Sequence, residues 1–115
     1  MQISIGRLAN LLNARGNFPG AQFHFKAALR SAPSLAEVHL AYAIALAAHG
    51  QPAPAEHELQ AALQLAPDHY EAHLRLGQLL QTRGEAERAK QHLRKAAESP
   101  ASGIRQAAQD SLRNQ

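Results

Sequence analysis

The chain has 115 residues, a net charge of +3 and no cysteine. That length fits one domain whose folding buries roughly two-thirds of the unfolded surface, and the missing cysteines exclude disulfides and thiolate metal sites. Apolar residues make up 45% of the chain but are mostly Ala and Leu with few aromatics, a mixture that favours close helix packing over strands.

The start, Met1-Gln2-Ile3-Ser4-Ile5-Gly6-Arg7, lacks the basic-then-apolar order of a secretory signal. The longest apolar run, Leu40 to Ala48, falls far short of the ~20 residues a bilayer span needs. A soluble chain without membrane insertion is expected, cytoplasmic unless a signal or anchor on a longer parent chain directs it to the periplasm. Charge is blocked along the sequence: residues 1–35 carry +4, residues 36–69 carry −4 and residues 70–115 carry +3. Nucleic-acid binders present a continuous basic stripe, often with aromatics for base stacking. The interrupted stripe argues against a nucleic-acid partner.

In steps of 34 residues the chain repeats itself: Gly16, Gly50 and Gly84 align, as do Ala21, Ala55 and Ala89. Phe25, Leu59 and Leu93 share a register, and so do Ala28, Ala62 and Ala96. Repeat one, 2–35, opens with Ile5, Leu8 and Leu12 at helical spacing. Its second helix starts near Pro19, which fits a first turn where the missing N–H is harmless, and ends at Pro33. Repeat two, 36–69, begins at a cap formed by Ser34 with Glu37, carries Tyr42 and Leu46 in the same slots, and turns at Gly50. Pro52 is read as part of that turn, Pro54 as the first turn of the next helix, and Pro67 closes the copy. Repeat three, 70–102, has Asp68 with Glu71 as its cap, then Leu76, Leu80, Gly84 and Pro100. Ser102 then caps a final helix over 103–114, where Ile104, Ala107, Ala108 and Leu112 share one face and shield the end of the stack. The spacing predicts seven helices, an all-α solenoid of hairpins in a single domain.

These residues resemble the tetratricopeptide repeat, whose pattern is W-x₂-L-G-x₂-Y, then A-x₃-F, then P. Repeat three is nearest, with Leu76-Gly77, Leu80, Gly84, Ala89, Leu93, Ala96 and Pro100. The departures fall on the tryptophan slot, filled by Ile5, His39 and His73. The resemblance implies a right-handed superhelix whose concave groove is lined by the first helix of each hairpin, and a protein or peptide ligand. By alignment the groove shows Arg7, Asn10 and Asn13, then Leu40, Ala41, Ile44 and Ala47, then Leu74, Arg75, Gln78 and Gln81. Such an apolar floor flanked by arginines and amides suits a peptide with apolar anchors. The plainer reading is that Leu40 and Ile44 pack on a second helix and that Arg75 pairs with Glu71 one turn away. The family's two-carboxylate clamp for chaperone peptides is not expected. Gly6, Ala41 and Glu71 stand where it requires a lysine, an asparagine and a lysine, and only Asn10 and Arg75 match.

His69 and His73 are spaced to share a helical face, but no third ligand follows at a useful spacing, so no metal is expected. His24 and His92 are read as solvated. The pairs Glu56/Glu58 and Glu85/Glu87 diverge on a helix and form no general acid and base. No nucleophile elbow, Walker loop or dinucleotide turn occurs, so neither catalysis nor a cofactor is expected. The remaining readings are a peptide-binding scaffold, self-association through a first helix that lacks a preceding cap, and an accessory module of a larger enzyme or secretion and assembly protein.

Overall fold

A computed structural model describes residues 15–32 and 34–114. The described residues form six helices and no strand: α1 (Phe18–Ser31), α2 (Ala36–Ala48), α3 (Pro52–Leu65), α4 (Tyr70–Thr82), α5 (Ala86–Ala96) and α6 (Ser102–Arg113). The expected first helix, with Ile5, Leu8 and Leu12, lies outside them, as does Pro33. The turn glycines behave as their spacing predicts. Gly16, Gly50 and Gly84 take φ of 80°, 77° and 78°, a left-handed conformation that side chains with a Cβ rarely adopt. Gly50 and Gly84 each lie between the two helices of a hairpin, and Gly16 precedes α1.

Helix starts follow local chemistry, and four differ from the sequence reading. Asn17 caps α1 by accepting from Gly20 N at 3.1 Å, and Pro19 sits in its first turn. The N-cap of α2 is Leu35, with no side-chain hydrogen bond; Ser34 is one residue too early, because Leu35 O already accepts from Val38 N and His39 N. Pro52 is helical rather than part of the turn, since the first helical position needs no N–H. His69, not Asp68, caps α4: its Nδ1 accepts from Ala72 N at 3.2 Å. Ser102 is likewise the first residue of α6, and Ala101 is its N-cap.

The chain divides into two compact units, Met1–Leu65 and Ala66–Gln115. In the first, α2 packs against α1 and α3. Its core holds Phe18, Ala21 and Phe25 of α1, Val38, Tyr42 and Leu46 of α2, and Ala55, Leu59 and Ala62 of α3. Phe25 and Tyr42 stack with ring centroids 5.2 Å apart, and Gln22 Nε2 donates to the Tyr42 hydroxyl at 2.9 Å. In the second unit α4 pairs with α5, and α6 packs on both. Ala72, Leu76, Leu80, Ala89, Leu93, Ala96 and Ala108 are buried there. Each buried Leu or Phe contributes about 1.5–3 kcal/mol. The alanines contribute closeness instead: they let two backbones approach so that the large side chains interlock. Ser99, buried between α5 and α6, accepts from Ala101 N through its Oγ at 3.1 Å, and its carbonyl accepts from Arg105 at 3.2 Å.

Candidate peptide-binding surface

In the first unit, helix α2 supplies an apolar candidate surface. Its sequence, AEVHLAYAIALAA, holds one carboxylate and is otherwise apolar apart from His39. One side of such a helix satisfies the hairpin, and whatever apolar surface remains is spare. Val38, Leu40, Tyr42, Ala43, Ala45 and Leu46 take the buried side. Ala41 and Ile44 remain half-buried, and Ala47 and Ala48 are exposed. Leu40 is only 3% exposed, so the plainer reading holds for it: its side chain serves the core. Phe23 and Leu35 are further exposed apolar residues of this unit. Neither drew notice in the sequence, because each lies off the repeat's packed slots.

In the second unit, helix α4 carries polar residues of its own. Arg75 is exposed and Gln78 half-buried, while Leu74, 7% exposed, belongs to the core like Leu40. Arg75 lies 3.7 Å from Glu71, one turn back. An exposed pair of this kind is weak. Gln81, read as a groove residue, instead donates to Ser111 O of α6 at 2.9 Å. Arg7, Asn10 and Asn13 lie outside the described residues.

The histidines are more engaged than the sequence suggested. His39 Nδ1 lies 2.8 Å from Glu58 Oε1. His92 is half-buried rather than solvated, with Nδ1 3.0 Å from His73 Nδ1. Lys95 bonds Asp68 at 3.1 Å, and that hydrogen bond, helped by the charges of Asp68 and Glu98, raises the lysine pKa above its ordinary 10.5. Among the described residues, no group of three or more His, Cys, Asp or Glu could hold a metal ion, and no helix is long and apolar enough to cross a membrane.

A family model for the tetratricopeptide repeat matches residues 46–112, more than half of the chain. The chain belongs to the tetratricopeptide repeat family. No curated protein matches it in sequence. The first TPR of Spaghetti (RPAP3), bound to the HSP90 peptide SRMEEVD, is 20% identical with a TM-score of 0.87; the match covers 96% of this chain and 86% of that one. The type III secretion translocator chaperone SycD of Yersinia enterocolitica is 17% identical with a TM-score of 0.89, over 96% of this chain and 87% of that one. The Sgt2 TPR domain of Aspergillus fumigatus is 24% identical with a TM-score of 0.86, over 96% and 73%. A further TPR domain is longer, and this chain spans 31% of it. At these identities the tetratricopeptide fold is what the chain shares with them.

Proposed function

We propose that this tetratricopeptide array is a single, non-catalytic domain that binds a protein or peptide segment, with the family's concave groove as the working surface. The observation that carries the reading is α2, which keeps Ala41, Ile44 and Ala47 outside the core although a hairpin alone would favour polar groups there. Apolar anchors supply most of the affinity in such surfaces, and rim charges mainly steer. Two structural neighbours support the class of ligand: Spaghetti holds an HSP90 peptide, and SycD has been crystallised with a peptide of the translocator YopD. Ile44 is the anchor of choice, since Leu40 and Leu74 are committed to the core.

The test is a titration of Ile44→Glu and of a charge reversal at Arg30 against the partner recovered by pull-down. A carboxylate at position 44 should weaken binding at least ~10-fold with helicity unchanged, and the Arg30 variant should bind like the wild type. Wild-type affinity in Ile44→Glu would remove the α2 surface from the site.

A further inference from the structure

Helices α1, α3 and α5 share the 34-residue register, so positions 23, 26 and 30 correspond to 57, 60 and 64 and to 91, 94 and 98. All of these residues are exposed. In α3 they are His57, Gln60 and Gln64, and in and just after α5 they are Gln91, Arg94 and Glu98. In α1 they are Phe23, Lys26 and Arg30, on one side of the helix. Phe23 is 64% exposed, and its ring stands edge-on to that of its neighbour His24 with centroids 5.4 Å apart. Packing leaves this position open in every copy, yet one copy alone fills it with an aromatic. The core does not account for Phe23.

The cations beside it are uncompensated. Residues 15–35 hold Arg15, Lys26 and Arg30 and no Asp or Glu. Neither Lys26 nor Arg30 forms an ion pair among the described residues, whereas in the second unit Arg75, Arg88, Lys90, Lys95 and Arg113 each do. Lys26 and Arg30 stand one turn apart, a like-charge spacing that weakens the helix carrying it. Arg30 gains from the negative end of the helix dipole, being in the last turn; Lys26, four residues earlier, has no such return. An exposed aromatic beside Arg and Lys is the composition of an interface anchor with a charged rim.

The face itself selects the occupant. Within a helix the backbone groups are already bonded to one another, so the outer side offers side chains alone. An extended peptide would find no backbone partner there, whereas a helix arrives with its own backbone satisfied and packs side chain against side chain. Carboxylates complement the two cations. Helices α2 and α3 of the same unit add Glu37, Glu56 and Glu58 and no Lys or Arg, so a long polyanion such as a nucleic acid would run from cations onto carboxylates. The wide apolar side of α1, with Phe18, Ala21, Phe25 and Ala28, is buried, which leaves no broad apolar face for a bilayer. We propose that the outer side of α1 docks an acidic amphipathic helix of a partner protein, with Phe23 as the apolar anchor and Lys26 and Arg30 as the carboxylate contacts. This surface is distinct from that of α2, so reversing the charge of Arg30 spares a ligand on α2 and weakens one on α1.

The probe is a fluorescein-labelled peptide of Ala, Leu and Glu, about 18 residues long so that it can be helical in water, with its leucines on one face and glutamates beside them. An analogue carries lysine in place of every glutamate. Anisotropy titrations at low salt should show saturable binding of the glutamate peptide to the wild type and none of the lysine analogue. Phe23→Ser should weaken that binding at least ~10-fold. Lys26→Glu combined with Arg30→Glu should exchange the preference, so that the lysine analogue binds instead. All three residues are exposed, so circular dichroism of these variants should match the wild type. Ile44→Glu should bind the probe as the wild type does, which keeps this result separate from the α2 surface. Absence of saturable binding, unchanged affinity in Phe23→Ser, or tighter binding of oligothymidylate or phosphatidylserine vesicles overturns the proposal. A wild-type dimer in sedimentation that Phe23→Ser dissociates would give this face to a second copy and overturn it equally.

Discussion

Ala55 is fully buried and Gln60, five residues on in the same helix, is exposed. The first sits in the α2–α3 contact, where a longer side chain must push the helices apart. Ala55→Leu should therefore lower the thermal midpoint, at a cost of roughly 1–3 kcal/mol, whereas Gln60→Leu should leave it nearly unchanged; equal midpoints in the two variants would contradict the packing. The buried alanines were legible in the sequence because a fixed register repeats them in every hairpin. The histidine pairs were not. His39 and Glu58, like His73 and His92, are 19 residues apart, and no periodicity within one helix tells which side chains meet across a turn. His92 in isolation reads as a polar residue on an outer face, and only the partner helix shows that it is half-buried. Lys95 is a similar case: its tie to Asp68 joins α5 to the loop before α4, and neither residue belongs to a repeat slot.

At the scale of the element, hairpins, turns and helix ends were legible because glycine and proline act locally. Positive φ at Gly50 and Gly84 is a property of the backbone itself, independent of what the helices pack against. Caps were less legible, since neighbouring residues compete for one position: His69 takes the cap that Asp68 was expected to fill. The α4–α5 contact carries a constraint of its own. A Cβ on Gly77 would lie 2.6 Å from Cγ of Leu93 and 3.2 Å from the carbonyl oxygen of Ala89. Leu93 is fully buried and has nowhere to turn. Alanine is ordinarily the better helix former by about 1 kcal/mol, yet Gly77→Ala should lower the midpoint, because the clash outweighs that gain. A midpoint equal to or above wild type would show that the hairpin can yield at this point.

For the molecule as a whole, composition and the 34-residue period led to the family, but not to a ligand. The period is set by how helices pack, and packing is indifferent to what the outer surface meets. Exposure was legible only in part: Ala47 and Arg75 are exposed and Ile44 half-buried, while Leu40 and Leu74, read from the alignment as surface residues, are buried. One ligand class can be set aside by experiment. With Glu71 on α4 beside Arg75, a C-terminal carboxylate peptide meets negative charge where a clamp needs positive. Labelled SRMEEVD, the peptide held by Spaghetti, should show no saturable change in fluorescence anisotropy; saturable binding would mean that another part of the chain supplies a clamp. The Gly77 contact also bears on how such arrays can be recombined. Position 43 is the counterpart of position 77 and carries an alanine, buried in the α2–α3 hairpin with almost no exposure, and Leu59 is the register counterpart of Leu93. Transplanting α2 to face α5 would drive that methyl into the space Leu93 occupies. Common register does not make single helices interchangeable, and a viable chimera has to inherit both members of a hairpin together.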